Sequence, residues 1–337
     1  MLKSFQAKQP RLPSASWAGQ AGVTGQPVPV LYIAGFGRSG STLLDRLLGS
    51  TPGIHSGGEL GGVWPLGLVD DRLCSCGTRF SCCSFWRAVG SNSFSSLRVH
   101  EIDAIVRYLH KALPTRMVWR IFSRRGIENL VSSAPANFLD ITARLYQGVR
   151  DASSEQVVVD SSKLATYLVL LAQVPSVSVR VVHLVRDPRA VAHSWRRPRV
   201  TDPDGRTSMP RFGAVKSAVV WLILNVAAER AARRLNLPYL RVRYEDLVED
   251  PAGVVGQLRS AVLGEEGADL GEAGQRDDEG IDLSVVHSIS GNPLRFRQGR
   301  TPVVEDADWK AGPRSRKAIV AALTFPLRWR YGYRGRG

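Results

Sequence analysis

The chain has 337 residues, 44% of them apolar and 22% charged, with a formal net charge of +15. These fractions exclude wholesale disorder, and the length allows one large α/β domain or two smaller ones. The basic excess points to anionic partners, whether nucleotide, sulfated or phosphorylated ligand, nucleic acid or acidic lipid, or else to arginine usage that keeps the chain soluble.

Residues 1–27 are rich in Pro, Gly, Gln, Ser and Ala and contain no apolar core of signal-peptide length, so a disordered tail on a cytoplasmic protein is expected. Residues 28–332 are then read as a single domain. It opens with VPVLYIAGFGRSGSTLLDRLLG, in which an apolar run with β-branched residues breaks at Gly35 and resumes from Leu43 at helical spacing. This is a strand, a phosphate-cradling loop and a helix. The loop Gly35–Thr42, GFGRSGST, fits the P-loop formula except that Ser41 stands where the lysine should be, and its only cation is Arg38. A triphosphate site needs that lysine beside the magnesium ion. A donor with a single phosphate at this point, held by the backbone N–H groups of Ser39, Gly40, Ser41 and Thr42, is the better fit.

All four cysteines, Cys74, Cys76, Cys82 and Cys83, fall within LCSCGTRFSCCSFW. Zinc, a local disulfide and plain packing are all open. The spacing departs from paired C-x2-C knuckles, so packing is favoured and no metal is assigned. The surrounding stretch, residues 64–90, reads as an insertion near an acceptor site. Helical periodicity follows over Val99–Leu113 and Phe138–Val149. Gln156–Leu171 then supplies a strand ending in Asp160, Ser161, Ser162 and Lys163, followed by a helix; polar residues at the end of an apolar strand are where open parallel sheets put ligands. Asp160 also resembles the acid after a Walker B strand, as a P-loop small-molecule kinase would require.

Val179–Val185, VRVVHLV, is a run that only a sheet covered on both faces buries. Arg186 stands at its tip, Asp187 and Pro188 start the next helix, and Ser194 lies on that helix. A helix over Phe212–Leu235, a strand at Tyr239–Val242 and a turn and helix over Tyr244–Leu258 continue the alternation. The apolar run Ala218–Ala228 is too short to span a bilayer, leaving peripheral contact as the only membrane association the basic charge supports. An acidic, mobile loop is expected at residues 264–280, an anion-binding loop in HSISGNPLRFRQGR, a last helix over Ser315–Leu323 and a solvated basic tail to Gly337. The fold class is α/β: a doubly wound, P-loop NTPase-like parallel sheet with helices on both faces.

The two ordered elements, strand–GxxRSGST–helix and a later strand ending VRDPRAVAHS, resemble the nucleotide-binding elements of sulfotransferases that use 3′-phosphoadenosine 5′-phosphosulfate (PAPS). The similarity is to bacterial members and the tyrosylprotein sulfotransferase branch, over roughly residues 28–332. It implies PAPS as co-substrate, no metal requirement, and transfer of a sulfuryl group to a hydroxyl of a carbohydrate, glycolipid or secondary metabolite. Arg38 to Thr42 would then hold the 5′-phosphate and sulfate end, and Arg186 with Ser194 the 3′-phosphate. Tyr244 in RYEDL resembles a nucleotide contact, and Asn292, Arg295 and Arg297 belong to a loop resembling the family's C-terminal 3′-phosphate loop. Lys163 resembles a lysine that steadies the transferring group. Glu59, in SGGELGGVW, takes the place of the glutamate base of the tyrosylprotein branch, with His55 as a competing base.

Reach allows the assignment: a helix from Ser41 to Ser50 carries the chain about 15 Å away, and the return Thr51–Gly58 spans up to about 26 Å. Two departures stand out. The cytosolic branch has lysine where Arg38 stands, and the Cys74–Cys83 insertion has no counterpart in the eukaryotic enzymes. The rival classes are a P-loop kinase, which the missing lysine opposes, and a basic nucleic-acid-binding protein, for which no zinc finger or recognition helix is visible.

Overall fold

The central strand β1 (Val28–Ala34) is almost wholly buried, as expected of a strand covered on both faces. The computed structural model describes residues 26–198, 208–264, 270 and 280–334. The expected mobile loop at 264–280 and disordered tail at 1–27 therefore fall almost entirely outside the described residues.

After β1 the chain forms α1 (Ser41–Gly49), β2 (Ile54–Ser56), α2 (Ser84–Ser93), α3 (Val99–Ala112), α4 (Arg124–Ser132) and α5 (Phe138–Ser153). Next come β3 (Val157–Lys163), α6 (Ala165–Leu171), β4 (Val177–Val185), α7 (Pro188–Arg196), α8 (Ala214–Arg234) and β5 (Tyr239–Arg243). The sheet order is β2-β3-β1-β4-β5 and every pairing is parallel. Alternation along the strands sends Leu31, Ile33, Val159, Val182 and Leu184 to one face, where they pack on α1 and on two further helices, α9 (Tyr244–Glu249) and α10 (Pro251–Leu263). Val30, Tyr32, Val158, Val181 and Val185 face the other way, onto α2, α3, α5, α6 and α8. The doubly wound α/β reading therefore holds.

Several boundaries move for identifiable reasons. Strand β4 begins at Val177, and the helix after Tyr244 breaks in two because Asp250 caps a new start, its side chain accepting from Gly253 N at 2.9 Å with Pro251 in the first turn. Within residues 64–90, Trp64, Phe80, Trp86 and Val89 join the main apolar cluster. Beyond the sheet, β6 (Ile281–Leu283) and β7 (Gly299–Thr301) pair antiparallel.

The described part of the C-terminal tail is docked, contrary to the solvated tail expected. After α11 (Arg314–Leu323), α12 (Phe325–Arg330) starts anew, with Pro326 in its first turn, where proline is tolerated. Tyr331 and Tyr333 are buried, their hydroxyls donating to Glu229 at 2.8 Å and Glu245 at 2.7 Å.

Candidate active site

The carboxyl ends of β1, β3, β4 and β5 open onto one sheet edge, where an open parallel sheet leaves its crevice. The loop Gly35–Gly40 leaves β1 there. Gly40 precedes α1 in the left-handed region, at φ 93°, and a Cβ on it would lie 2.5 Å from the Tyr244 ring. Only glycine satisfies both constraints. The loop is backed by α7: Trp195 Nε1 donates to Gly37 O at 3.1 Å, and the Arg38 guanidinium lies over the Trp195 ring, 5.2 Å from its centroid. Ser39 is buried, and its Oγ has no hydrogen-bond partner among the described residues. Ser41 and Thr42 open α1, whose first N–H groups lack intrahelical partners.

Arg186 reaches the same place from the tip of β4. Its Nη1 donates to Arg38 O at 3.2 Å and its Nη2 to Asp306 O at 3.0 Å, with Asp306 Oδ2 at 3.6 Å. Its guanidinium sits over the Tyr244 ring, 4.3 Å from the centroid. Burial raises the Tyr244 hydroxyl pKa, and the Arg186 charge works against that rise. Asp187 is turned away from Arg186: it caps α7, accepting from Arg189 N at 2.8 Å, and pairs with the Arg189 guanidinium at 2.7 Å. Ser194 is buried on α7.

The third component comes from β3. Lys163 breaks the strand register at φ 69°, and its carbonyl accepts from Gly35 N at 3.2 Å, tying the strand end to the loop. Its ammonium donates to Glu59 Oε1 and, at 3.0 Å, to Ser161 O. Ser290 Oγ donates to Glu59 Oε2 at 3.1 Å. A Cβ on Gly291 would stand 3.6 Å from both Glu59 Oε1 and Thr42 Oγ1, so the carboxylate does return to the loop mouth.

His55 and Asp160 are directed elsewhere. His55 stacks on Phe85 at 4.9 Å between centroids, and burial lowers its pKa to about 4. Asp160 is fully buried, accepting from the Tyr146 hydroxyl, from Ser162 N at 2.8 Å and Ser162 Oγ at 2.5 Å, and from Leu60 N at 3.3 Å. Burial pushes its pKa up to about 6. It braces the turn that carries Glu59, and a phosphate-bound magnesium ion needs a carboxylate facing the loop.

The loop candidates divide. Asn292 caps a short turn, its Oδ1 accepting from Leu294 N at 3.1 Å. Arg295 is buried and donates to Leu73 O at 3.2 Å and Ser288 O at 3.0 Å, so it clamps this loop to the cysteine-bearing segment. Arg297 is exposed.

No family model matches the chain, and no curated protein matches it either. Among solved structures, it is similar to the sulfotransferase domain of the Synechococcus PCC 7002 olefin synthase, at 20% identity over 90% of this chain and 96% of that one, with a TM-score of 0.44. The sulfotransferase domain from the curacin biosynthetic pathway matches at 16% identity over 88% and 96%, TM-score 0.42. A sulfotransferase from Alicyclobacillus acidocaldarius matches at 13% over 90% and 96%, TM-score 0.38. At identities and scores this low, the functional assignment rests on the residues of this chain.

Three participants escaped the sequence reading: Asp306 over Arg186, Ser290 on Glu59, and His287, which joins Cys74, Cys76 and Cys83. Each lies far along the chain from its partner, and only Ser290 and His287 carried a hint, as part of a polar segment without helical periodicity.

Proposed function

We propose that the chain is a PAPS-dependent sulfotransferase that moves a sulfuryl group to an acceptor hydroxyl of a carbohydrate, glycolipid or secondary metabolite. The observation that carries this reading is the convergence of the Arg38–Thr42 loop, Arg186 and the Glu59–Lys163 pair on one sheet edge. The donor fits these residues. Loop N–H groups and the orphaned Ser39 hydroxyl supply donors for its 5′-phosphate end. Arg186, with Ser194, is assigned the 3′-phosphate, and the Tyr244 ring a nucleotide contact.

PAPS supplies an activated S–O bond to a phosphate that leaves with the bonding electron pair. The protein orients the acceptor hydroxyl opposite that bond, and as the new O–S bond forms, Glu59 takes the hydroxyl proton. Lys163, now paired with Glu59, is within side-chain reach of the loop and turns towards the sulfuryl oxygens when the donor binds, releasing the carboxylate for that role. Arg38 and the loop amides stabilise the charge gathering on the departing phosphate oxygen. These cations do what the P-loop lysine does in a kinase, and the inward-facing Asp160 weighs against the kinase reading. A nucleic-acid-binding reading draws only on the net charge.

Thermal denaturation with adenosine 3′,5′-bisphosphate, ATP with magnesium, and duplex DNA separates the three classes, since only a ligand of the native state raises the midpoint. Stabilisation by the bisphosphate alone is expected, and labelled PAPS against an acceptor library then identifies the product. Stabilisation by ATP with magnesium but not by the bisphosphate would overturn the assignment.

A further inference from the structure

The cysteine-bearing segment and the loop after β6 meet at a group of side chains that the transfer reaction does not use. Cys74, Cys76, Cys83 and His287 each offer one ligand atom, and all four atoms lie within 4.8 Å of one another. Cys83 Sγ is 3.7 Å from Cys76 Sγ and 3.8 Å from Cys74 Sγ. His287 Nδ1 is 3.2 Å from Cys83 Sγ and 3.6 Å from Cys74 Sγ. A zinc ion with Zn–S bonds of about 2.3 Å and a Zn–N bond of about 2.05 Å has tetrahedral edges of about 3.8 Å between sulfurs and about 3.5 Å from sulfur to nitrogen. These four separations are close to those edges, and the remaining two, both made by Cys76, lie within 4.8 Å.

We propose that Cys74, Cys76, Cys83 and His287 form a structural zinc site that ties residues 74–83 to the segment 286–290. The local chain is shaped for it. Cys74 N donates to Thr78 O at 2.8 Å and Gly77 N to Cys74 O at 2.9 Å, with Gly77 at φ 91°, so the Cys74–Thr78 turn folds both of its sulfurs inward. Thr78 Oγ1 lies 3.2 Å from Cys76 Sγ, where a hydroxyl donates to a thiolate, and the His287 ring is fixed by stacking on Phe85 at 4.8 Å between centroids. Cys74 and Cys83 are buried and the other two partly buried. Four protein ligands leave no open position, which assigns the ion a structural part. Packing alone accounts less well for the cluster: thiols are weak hydrogen-bond partners, and nothing in packing requires an imidazole nitrogen among three sulfurs. Cys82 is exposed and outside the group.

The ion would sit where two segments are already stitched by Ser75, whose Oγ donates to Val286 O at 2.5 Å and accepts from Ser288 N at 2.9 Å. Two residues further, Ser290 holds Glu59. The site therefore fixes the loop that orients that carboxylate.

The test is metal content of the full chain purified without chelator, by elemental analysis. About one zinc ion per chain is expected in the parent and in Cys82→Ser, falling at least fivefold in Cys76→Ser and in His287→Ala. A zinc chelator should lower the melting temperature of the parent by several degrees and leave that of His287→Ala unmoved. Should those variants fail to fold, cobalt(II) loaded into the metal-stripped parent gives intense tetrahedral visible bands with thiolate charge transfer if the site exists. Zinc at or below a tenth of an ion per chain with no such cobalt spectrum, a disulfide among Cys74, Cys76 and Cys83 in the native protein, or iron in place of zinc would each overturn the proposal. None of these readouts depends on sulfuryl transfer.

Discussion

Lys163 on β3 donates its ammonium to the carboxylate of Glu59, 104 residues earlier in the chain, at the mouth of the loop between β1 and α1. Both side chains are largely shielded, 18% and 25% exposed, so the contact is more than a surface ion pair. Ser290 supplies the second oxygen's partner, which fixes the plane of the carboxylate. If Glu59 is the base, Glu59→Gln keeps the shape and the Ser290 contact but cannot take a proton. Turnover with PAPS should fall about 10²- to 10⁴-fold, while calorimetric affinity for adenosine 3′,5′-bisphosphate changes only a few-fold. Turnover within a few-fold of the parent would remove Glu59 from the chemistry.

Arg186 carries a second prediction because its environment contains a competitor. Asp306 faces the guanidinium from the loop after β7, and if Arg186 binds the 3′-phosphate as proposed, that group competes with the carboxylate. Arg186→Ala should weaken adenosine 3′,5′-bisphosphate binding about 10- to 100-fold, the size of a lost charge-assisted hydrogen bond. Asp306→Asn should strengthen it a few-fold by removing the competing charge. Unchanged affinity in both variants, measured by calorimetry at fixed salt, would place the phosphate elsewhere.

The parts of this site that were legible in the sequence are those whose signal is local. The apolar runs of β1 and β4, the glycines at Gly35 and Gly40, and the cap at Asp187 each declare themselves within a few residues, because strand burial, loop geometry and helix starts are short-range demands. The partners they meet are not local. His287 lies 213 residues from Cys74, and Asp306 lies 120 from Arg186. Strand β2 was missed for a related reason: three residues carry no periodicity, and Ile54 to Ser56 become a strand only through pairing with Val157 to Val159. Spacing among the cysteines alone could not show that His287 joins three of them.

Gly40 tests the loop geometry itself. A side chain there meets two separate penalties: the left-handed backbone costs a non-glycine residue about 1 kcal/mol, and the Cβ would sit 2.5 Å from the Tyr244 ring. Gly40→Ala should therefore lower unfolding free energy by about 2 kcal/mol and weaken adenosine 3′,5′-bisphosphate binding with it. Adding Tyr244→Ala removes the clash but not the backbone strain, so the double variant should be more stable than the sum of the two single losses predicts. Strict additivity in urea unfolding would contradict the contact.

Asp45 gives the stability a pH dependence with a definite sign. It is wholly buried on α1, its Oδ2 accepting from Ser56 Oγ at 2.5 Å while Oδ1 has no hydrogen-bond partner among the described residues. Burial, against the pull of Ser56, raises its pKa from 3.8 to about 7. A raised carboxyl pKa means that the folded chain holds a proton the unfolded chain has already released, so stability declines as pH rises from about 4 to about 7. A shift of about three pKa units corresponds to at most about 4 kcal/mol. Asp160, raised to about 6 by the same cause, contributes with the same sign but is present in parent and variant alike. Asp45→Asn keeps an acceptor for Ser56 and removes the charge. Relative to the parent it should be stabilising by up to a few kcal/mol at pH 8, with the gain shrinking towards zero near pH 4. Urea unfolding of both proteins across that range reads it directly, and a difference that does not change with pH would show that Asp45 does not titrate in this window.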